Sequence, residues 1–238
     1  MEKDADKLLS NLEERLKFFR DIGADFVFKN EAAPVRTPSP PGGPSSSPPP
    51  ASRDIQAVHE EILRCRKCPL AAGRTQAVPG EGHLHAELMF VGEGPGHDED
   101  VQGRPFVGRA GQLLTKIIRA MTYERADVFI TNIVKCRPPN NRVPRRDEIE
   151  ICSPYLREQI LNIRPNVIVA LGKVATDFFI PDAFGAMTTL RGQFYDWNGI
   201  PVMPTFHPSY LIRNEGNKEI KKMVWDDMQK VMVRLGRK

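Results

Sequence analysis

Four cysteines and one glycine-rich segment are the parts of this 238-residue sequence whose types and spacing could do chemistry. Cys65 and Cys68 form a C-x2-C pair followed by Pro69, so two sulfurs from a single turn can reach one metal centre. Cys136 and Cys152 lie far downstream and do not form a second close pair. Zinc ribbons normally supply two close pairs, so this uneven spacing favours an iron–sulfur cluster gathered from distant thiolates; zinc and free thiols are the alternatives. Residues 92–111, GEGPGHDEDVQGRPFVGRAG, hold six glycines and two prolines and too few large apolar side chains to be core. Pro95 and the acidic residues around it do not suit a dinucleotide fingerprint, and no Gly-Lys-Ser or Gly-Lys-Thr is present to make a phosphate-binding loop. A plain connector or a pocket lined closely by backbone remains.

Chemistry at such segments needs elements to hold it. Apolar runs of strand length occur at ELMFV, VFITNIV, NVIVAL and PVMPTF, separated by helical patterns. That alternation is the signature of the α/β class, with a parallel sheet and crossover helices. Asn198-Gly199 predicts a tight hairpin leading into the last run. Open parallel sheets gather ligands at the carboxyl ends of their strands. The loops there are the glycine-rich stretch, the KCRPPNN that follows Asn132, Leu171-Gly172-Lys173, and FHPSYLIR.

Apolar residues make up 40% of the chain, enough for one domain with an appendage. The net charge of +4 is too small to name a partner. Residues 1–32 carry leucines and phenylalanines at helical spacing and predict an amphipathic helix. Residues 33–53 are rich in Pro, Ser and Gly and predict a disordered linker, which leaves residues 54–238 as the folded domain. The linker reads first as a tether; docking of a protein partner, through it or through the helix, is the alternative. There is no long apolar run, and the charged opening MEKDADKLLSNLEERLKFF does not read as a secretory signal, so the expected location is cytoplasmic. Reducing surroundings disfavour disulfides and return the cysteines to metal chemistry.

Taken together, GEGPG, GRPFVGRAG, TNIVKCRPP and HPSYL, with the four cysteines, resemble the family 4 uracil-DNA glycosylases, the iron–sulfur branch of the uracil-DNA glycosylase superfamily. The resemblance runs from about Cys65 to the C-terminus and leaves residues 1–53 uncovered. It implies a three-layer sandwich with a central four-stranded parallel sheet flanked by helices, and a 4Fe–4S cluster on Cys65, Cys68, Cys136 and Cys152. It also implies an enzyme, a monomer by default for base flipping, that flips uracil out of single- or double-stranded DNA and hydrolyses the N-glycosidic bond. The product is an abasic site, where base excision repair starts. By the same resemblance Gly92, Gly94 and Glu99 would line the uracil pocket, Phe106 would stack on the base, and Asn132 would read its edge. An amide accepts from uracil N3–H and donates to O4, the reverse of what cytosine needs. His207 would donate to O2 as negative charge grows there. Leu211 would fill the gap left by the flipped nucleotide, with Arg213 near phosphates. Glu93 would orient the attacking water, with Glu99 or Asp100 as alternatives.

Two rival functions stay open: a protein of the same superfamily that binds uracil-DNA without turnover, and an electron-transfer protein. The second leaves Asn132 and His207 without a purpose.

Overall fold

Both faces of the strand Leu88–Gly92 are buried. Leu88 and Phe90 enter one apolar cluster and Met89 and Val91 another, as the two-residue period of a strand demands. The strand Val167–Leu171 repeats this: Val167, Val169 and Leu171 join the first cluster, Ile168 and Ala170 the second. A sheet with two apolar faces must be covered on both, and three layers result.

The computed structural model describes residues 53–237. The expected N-terminal helix, and the expected linker up to its last residue, lie outside the described residues. In chain order the elements are α1 (Ile55–Arg64), α2 (Leu70–Gly73), β1 (Glu81–Gly82), β2 (Leu88–Gly92), α3 (His97–Gln102), α4 (Arg109–Ala120), β3 (Phe129–Asn132), α5 (Arg146–Ile163), β4 (Val167–Leu171), α6 (Lys173–Phe179), α7 (Met187–Leu190), β5 (Tyr195–Trp197), β6 (Ile200–Thr205), α8 (Pro208–Arg213) and α9 (Lys218–Arg234). Helices α4 and α9 cover the first face through Leu114, Ile118, Val224 and Met228; α1 and α5 cover the second through Val58, Ile62, Leu156 and Ile160.

The sheet has six strands in the order β1-β3-β2-β4-β6-β5. Its central strands β3, β2, β4 and β6 run parallel, as the apolar runs predict. The expected four-stranded sheet is therefore its parallel core, and an antiparallel strand extends each edge. The β5–β6 hairpin turns at Asn198 and Gly199, with φ of 52° and 84°, the left-handed pair that such a turn requires. Strand β1 is two residues long and has no apolar alternation, so no sequence pattern marks it.

Candidate active site at the carboxyl edge of the sheet

A cleft of about 840 Å³ opens where the four parallel strands end. Its lining includes Glu93 and Gly94 just after β2, Asn132 as the last residue of β3, Leu171 at the end of β4, and Phe206 and His207 just after β6. Segments separated by long stretches of sequence meet here because parallel strands all end on one edge.

Asn132 is 1% exposed. Its Oδ1 is, among the described residues, the one buried side-chain nitrogen or oxygen atom without a hydrogen-bond partner. Gly92 lies opposite it in register. A Cβ on Gly92 would stand 2.4 Å from that Oδ1 and 2.6 Å from the Phe106 ring, so only glycine leaves the space open. Phe106 is buried and sits at φ 51°, a strained left-handed conformation for a bulky residue. Two features hold it there. The start of α4 approaches so closely that a Cβ on Gly111 would lie 1.9 Å from the Phe106 carbonyl. Arg125 donates to the carbonyls of Phe106 (3.0 Å) and Pro105 (2.7 Å) while bonded to Glu81 at 2.6 Å. Sequence reasoning missed Arg125, since a lone arginine in a loop carries no signal of its distant partners.

The Phe106 and His207 ring centroids are 5.7 Å apart. His207 caps α8: its Nδ1 accepts from the Ser209 backbone N–H at 3.1 Å. A ring nitrogen that accepts carries no proton, so the neutral ring holds its hydrogen on Nε2. Burial, with Arg213 nearby, lowers the imidazole from its ordinary 6.5 to about 4, which keeps it neutral at physiological pH. Beneath β6, the buried Asp227 carboxylate accepts from Thr205 Oγ1 at 2.6 Å and Arg191 Nε at 2.9 Å, fixing the strand end that carries His207. No local pattern in the sequence marks that tie either.

The three candidate carboxylates separate clearly. Glu99 Oε1 accepts from the backbone N–H groups of Val107 (2.8 Å) and Gly108 (2.9 Å), and Oε2 from Gly96 (3.1 Å). It lines the cleft, yet both its oxygens are engaged in folding the glycine-rich loop. Asp100 is buried away from the cleft and accepts from the N–H groups of Thr75 (2.8 Å) and Gln76 (3.4 Å). Its place as an alternative water-orienting group is therefore corrected to a structural one. Glu93 lines the cleft half-buried, and burial raises its carboxyl above the usual value.

Leu211 is 3% exposed, part of the first apolar cluster, where the packing of α8 on α4 holds it. Its expected place in the gap left by a flipped nucleotide would therefore require α8 to shift when DNA binds. Arg213 is exposed and lines the cleft, as a phosphate contact requires.

The cysteines are all free thiols. Cys136 and Cys152 are buried in the second apolar cluster, with Cys65 and Cys68 packed against it. Burial pushes the Cys152 thiol up to about 11 and raises Cys136 as well. Against this, Arg74 Nη1 donates to Cys136 Sγ at 2.9 Å and the Lys135 N–H to Cys152 Sγ at 3.3 Å, both of which favour negative sulfur. Among the described residues no three His, Cys, Asp or Glu side chains stand close enough to share one metal ion.

Residues 79–229 match the family model of the uracil DNA glycosylase superfamily. The chain is 50% identical to a type-4 uracil-DNA glycosylase of Thermotoga maritima over 177 residues, covering 74% of this chain and 92% of that protein. It is 46% identical to a type-4 uracil-DNA glycosylase of Saccharolobus solfataricus over 193 residues, 78% of this chain and 88% of that protein. A type-5 uracil-DNA glycosylase of Pyrobaculum aerophilum is 34% identical over 195 residues, 68% of this chain and 85% of that protein.

Proposed function

The chain belongs to the uracil DNA glycosylase superfamily, and from that premise we propose how it excises uracil from DNA by hydrolysis. The observation that carries the reading is the buried, unpartnered Oδ1 of Asn132 in a cleft that Phe106 and His207 also line. A buried acceptor left without a donor costs about 1–3 kcal/mol, a penalty that uracil N3–H removes and cytosine, with no hydrogen there, does not.

A flipped nucleotide enters the cleft with its base on Phe106 and its edge against Asn132. The bond between C1′ and N1 then breaks, positive charge developing on the sugar and negative charge on uracil N1 and O2. His207 meets the second charge by donating from Nε2, the nitrogen that Ser209 leaves protonated. Glu93 opposes the first and holds the water whose oxygen bonds to C1′; one of the water's protons passes to the carboxylate, the other stays on the new C1′ hydroxyl, and uracil departs as the anion. Two lysines that could otherwise form a covalent adduct are engaged elsewhere. Lys135 Nζ is buried on Thr131 Oγ1, Asn132 O and Gln159 Oε1, each at 2.7 Å, and Lys173 pairs with Asp177. This supports water as the nucleophile and a monofunctional enzyme.

Cys65, Cys68, Cys136 and Cys152 would hold a 4Fe–4S cluster. The N–H groups of Arg74 and Lys135 aimed at sulfur suit an anionic thiolate set. Bound there, the cluster would tie the start of the domain to the segment after β3 and to α5.

Release of free uracil from a uracil-containing oligonucleotide, with the strand intact until alkali is added, tests the reading. Tight binding without release would favour the non-turnover alternative.

A further inference from the structure

Arg74 directly follows α2, and its guanidinium reaches in two directions at once. Nη1 donates to Cys136 Sγ at 2.9 Å, and Nη2 donates to the Leu63 carbonyl at 3.0 Å. Leu63 lies in the last turn of α1, where carbonyls have no partner along the helix and the helix dipole is negative, so a cation is favoured there. One planar side chain thus ties the helix that ends at Cys65 to the cysteine that follows Lys135 beyond β3.

The backbone that carries Arg74 is fixed as well. The N–H groups of Thr75 and Gln76 donate to the buried Asp100 carboxylate at 2.8 and 3.4 Å, and the Val78 N–H donates to the Lys135 carbonyl at 2.8 Å, next to Cys136. Arg74 itself is half-buried, so its side chain is held toward sulfur rather than free in solvent.

A positive charge has a use at that place. Cys136 and Cys152 are 4% and 6% exposed, and four thiolates around irons and sulfides carry net negative charge in that dry setting. A buried anion with no cation against it is strongly disfavoured. The Lys135 ammonium is turned to Thr131, Asn132 and Gln159, and it is the backbone N–H of Lys135 that reaches Cys152 Sγ. Arg74 brings its full charge to the sulfur.

We propose that Arg74 is a positioning residue for the cluster: its guanidinium ties Cys136 to the end of α1 and offsets charge on the thiolate set, so that iron is harder to lose and the cluster easier to reduce. The proposal rests on the cluster reading above. A cation that donates to sulfur stabilises the more negative, reduced form, so its removal lowers the reduction potential.

The test uses the full chain, prepared without oxygen, as wild type, Arg74→Gln and Arg74→Lys. Iron per chain, the rate of iron loss to a chelator and a redox titration of the cluster spectrum are measured on each. Arg74→Gln should lose iron about tenfold faster or more and titrate at a lower potential. Arg74→Lys keeps the charge without the fork, so its potential should stay near that of wild type while iron leaves at an intermediate rate. Unchanged iron loss and potential in Arg74→Gln overturn the proposal, and so does a lower thermal midpoint with an unchanged potential, the mark of a purely structural arginine. If Arg74→Gln yields no folded protein, Arg74→Lys decides alone: iron loss at the wild-type rate overturns the proposal. Wild-type protein that releases uracil yet holds no iron would overturn the cluster reading and this proposal with it, and leave the glycosylase reading standing.

Discussion

Asn132→Leu should stabilise the free protein while disabling it. The amide Oδ1 is buried without a partner, which costs about 1–3 kcal/mol, and leucine replaces it with a side chain of the same heavy-atom count. Each kcal/mol moves the thermal midpoint of a domain this size by about 2–4 °C, so a rise of roughly 2–12 °C follows. Catalysis moves the other way. The variant leaves uracil N3–H and O4 unpaired in a dry site, a loss of about 3 kcal/mol in transition-state binding, or roughly 100-fold in kcat/KM. Thermal unfolding and single-turnover uracil release, measured on preparations matched for metal content, give both numbers. A lowered midpoint with full cleavage would refute the argument, because it would mean that Oδ1 is satisfied in the free protein and that uracil is read elsewhere.

His207→Ala should cut the single-turnover rate by about two to three orders of magnitude with DNA affinity nearly unchanged, as loss of an oxyanion donor does; equal losses in rate and affinity would make it a loop-shaping residue. A histidine lowered to about 4 from 6.5 leaves the folded state with fewer bound protons than the unfolded one between those values. Stability should therefore fall as pH drops from about 6.5 to about 4, and denaturant titrations of His207→Asn should lose that slope. The proposed mechanism needs Glu93 ionised, and burial raises its pKa, so the rate should fall as pH is lowered through that raised value; Glu93→Gln should flatten this limb and slow the reaction less than His207→Ala. Glu99→Gln should impair folding of the glycine-rich loop as well as activity, seen as a lower thermal midpoint, because an amide cannot accept from all three N–H groups that the carboxylate holds. Iron analysis should find about four irons per chain with broad absorbance near roughly 400 nm, and stoichiometric zinc instead would refute the cluster.

The parallel core of the sheet, its hairpin and the edge where ligand gathers were legible in sequence, because strand periodicity and turn chemistry are local: Leu88–Val91 and Asn198-Gly199 carry their own instructions. The order of motifs also named Asn132, Phe106 and His207 before any contact between them was visible. Sequence did not decide among the carboxylates. Glu93, Glu99 and Asp100 have similar intrinsic chemistry, and their surroundings diverge only because the fold brings backbone N–H groups to Glu99 and Asp100 and leaves Glu93 on the cleft without them. Nor could it tell that Leu211 is buried and Val143 exposed. Hydrophobicity ranks leucine and valine alike, while burial depends on what packs against them, and only tertiary structure puts α4 over Leu211 and leaves water over Val143.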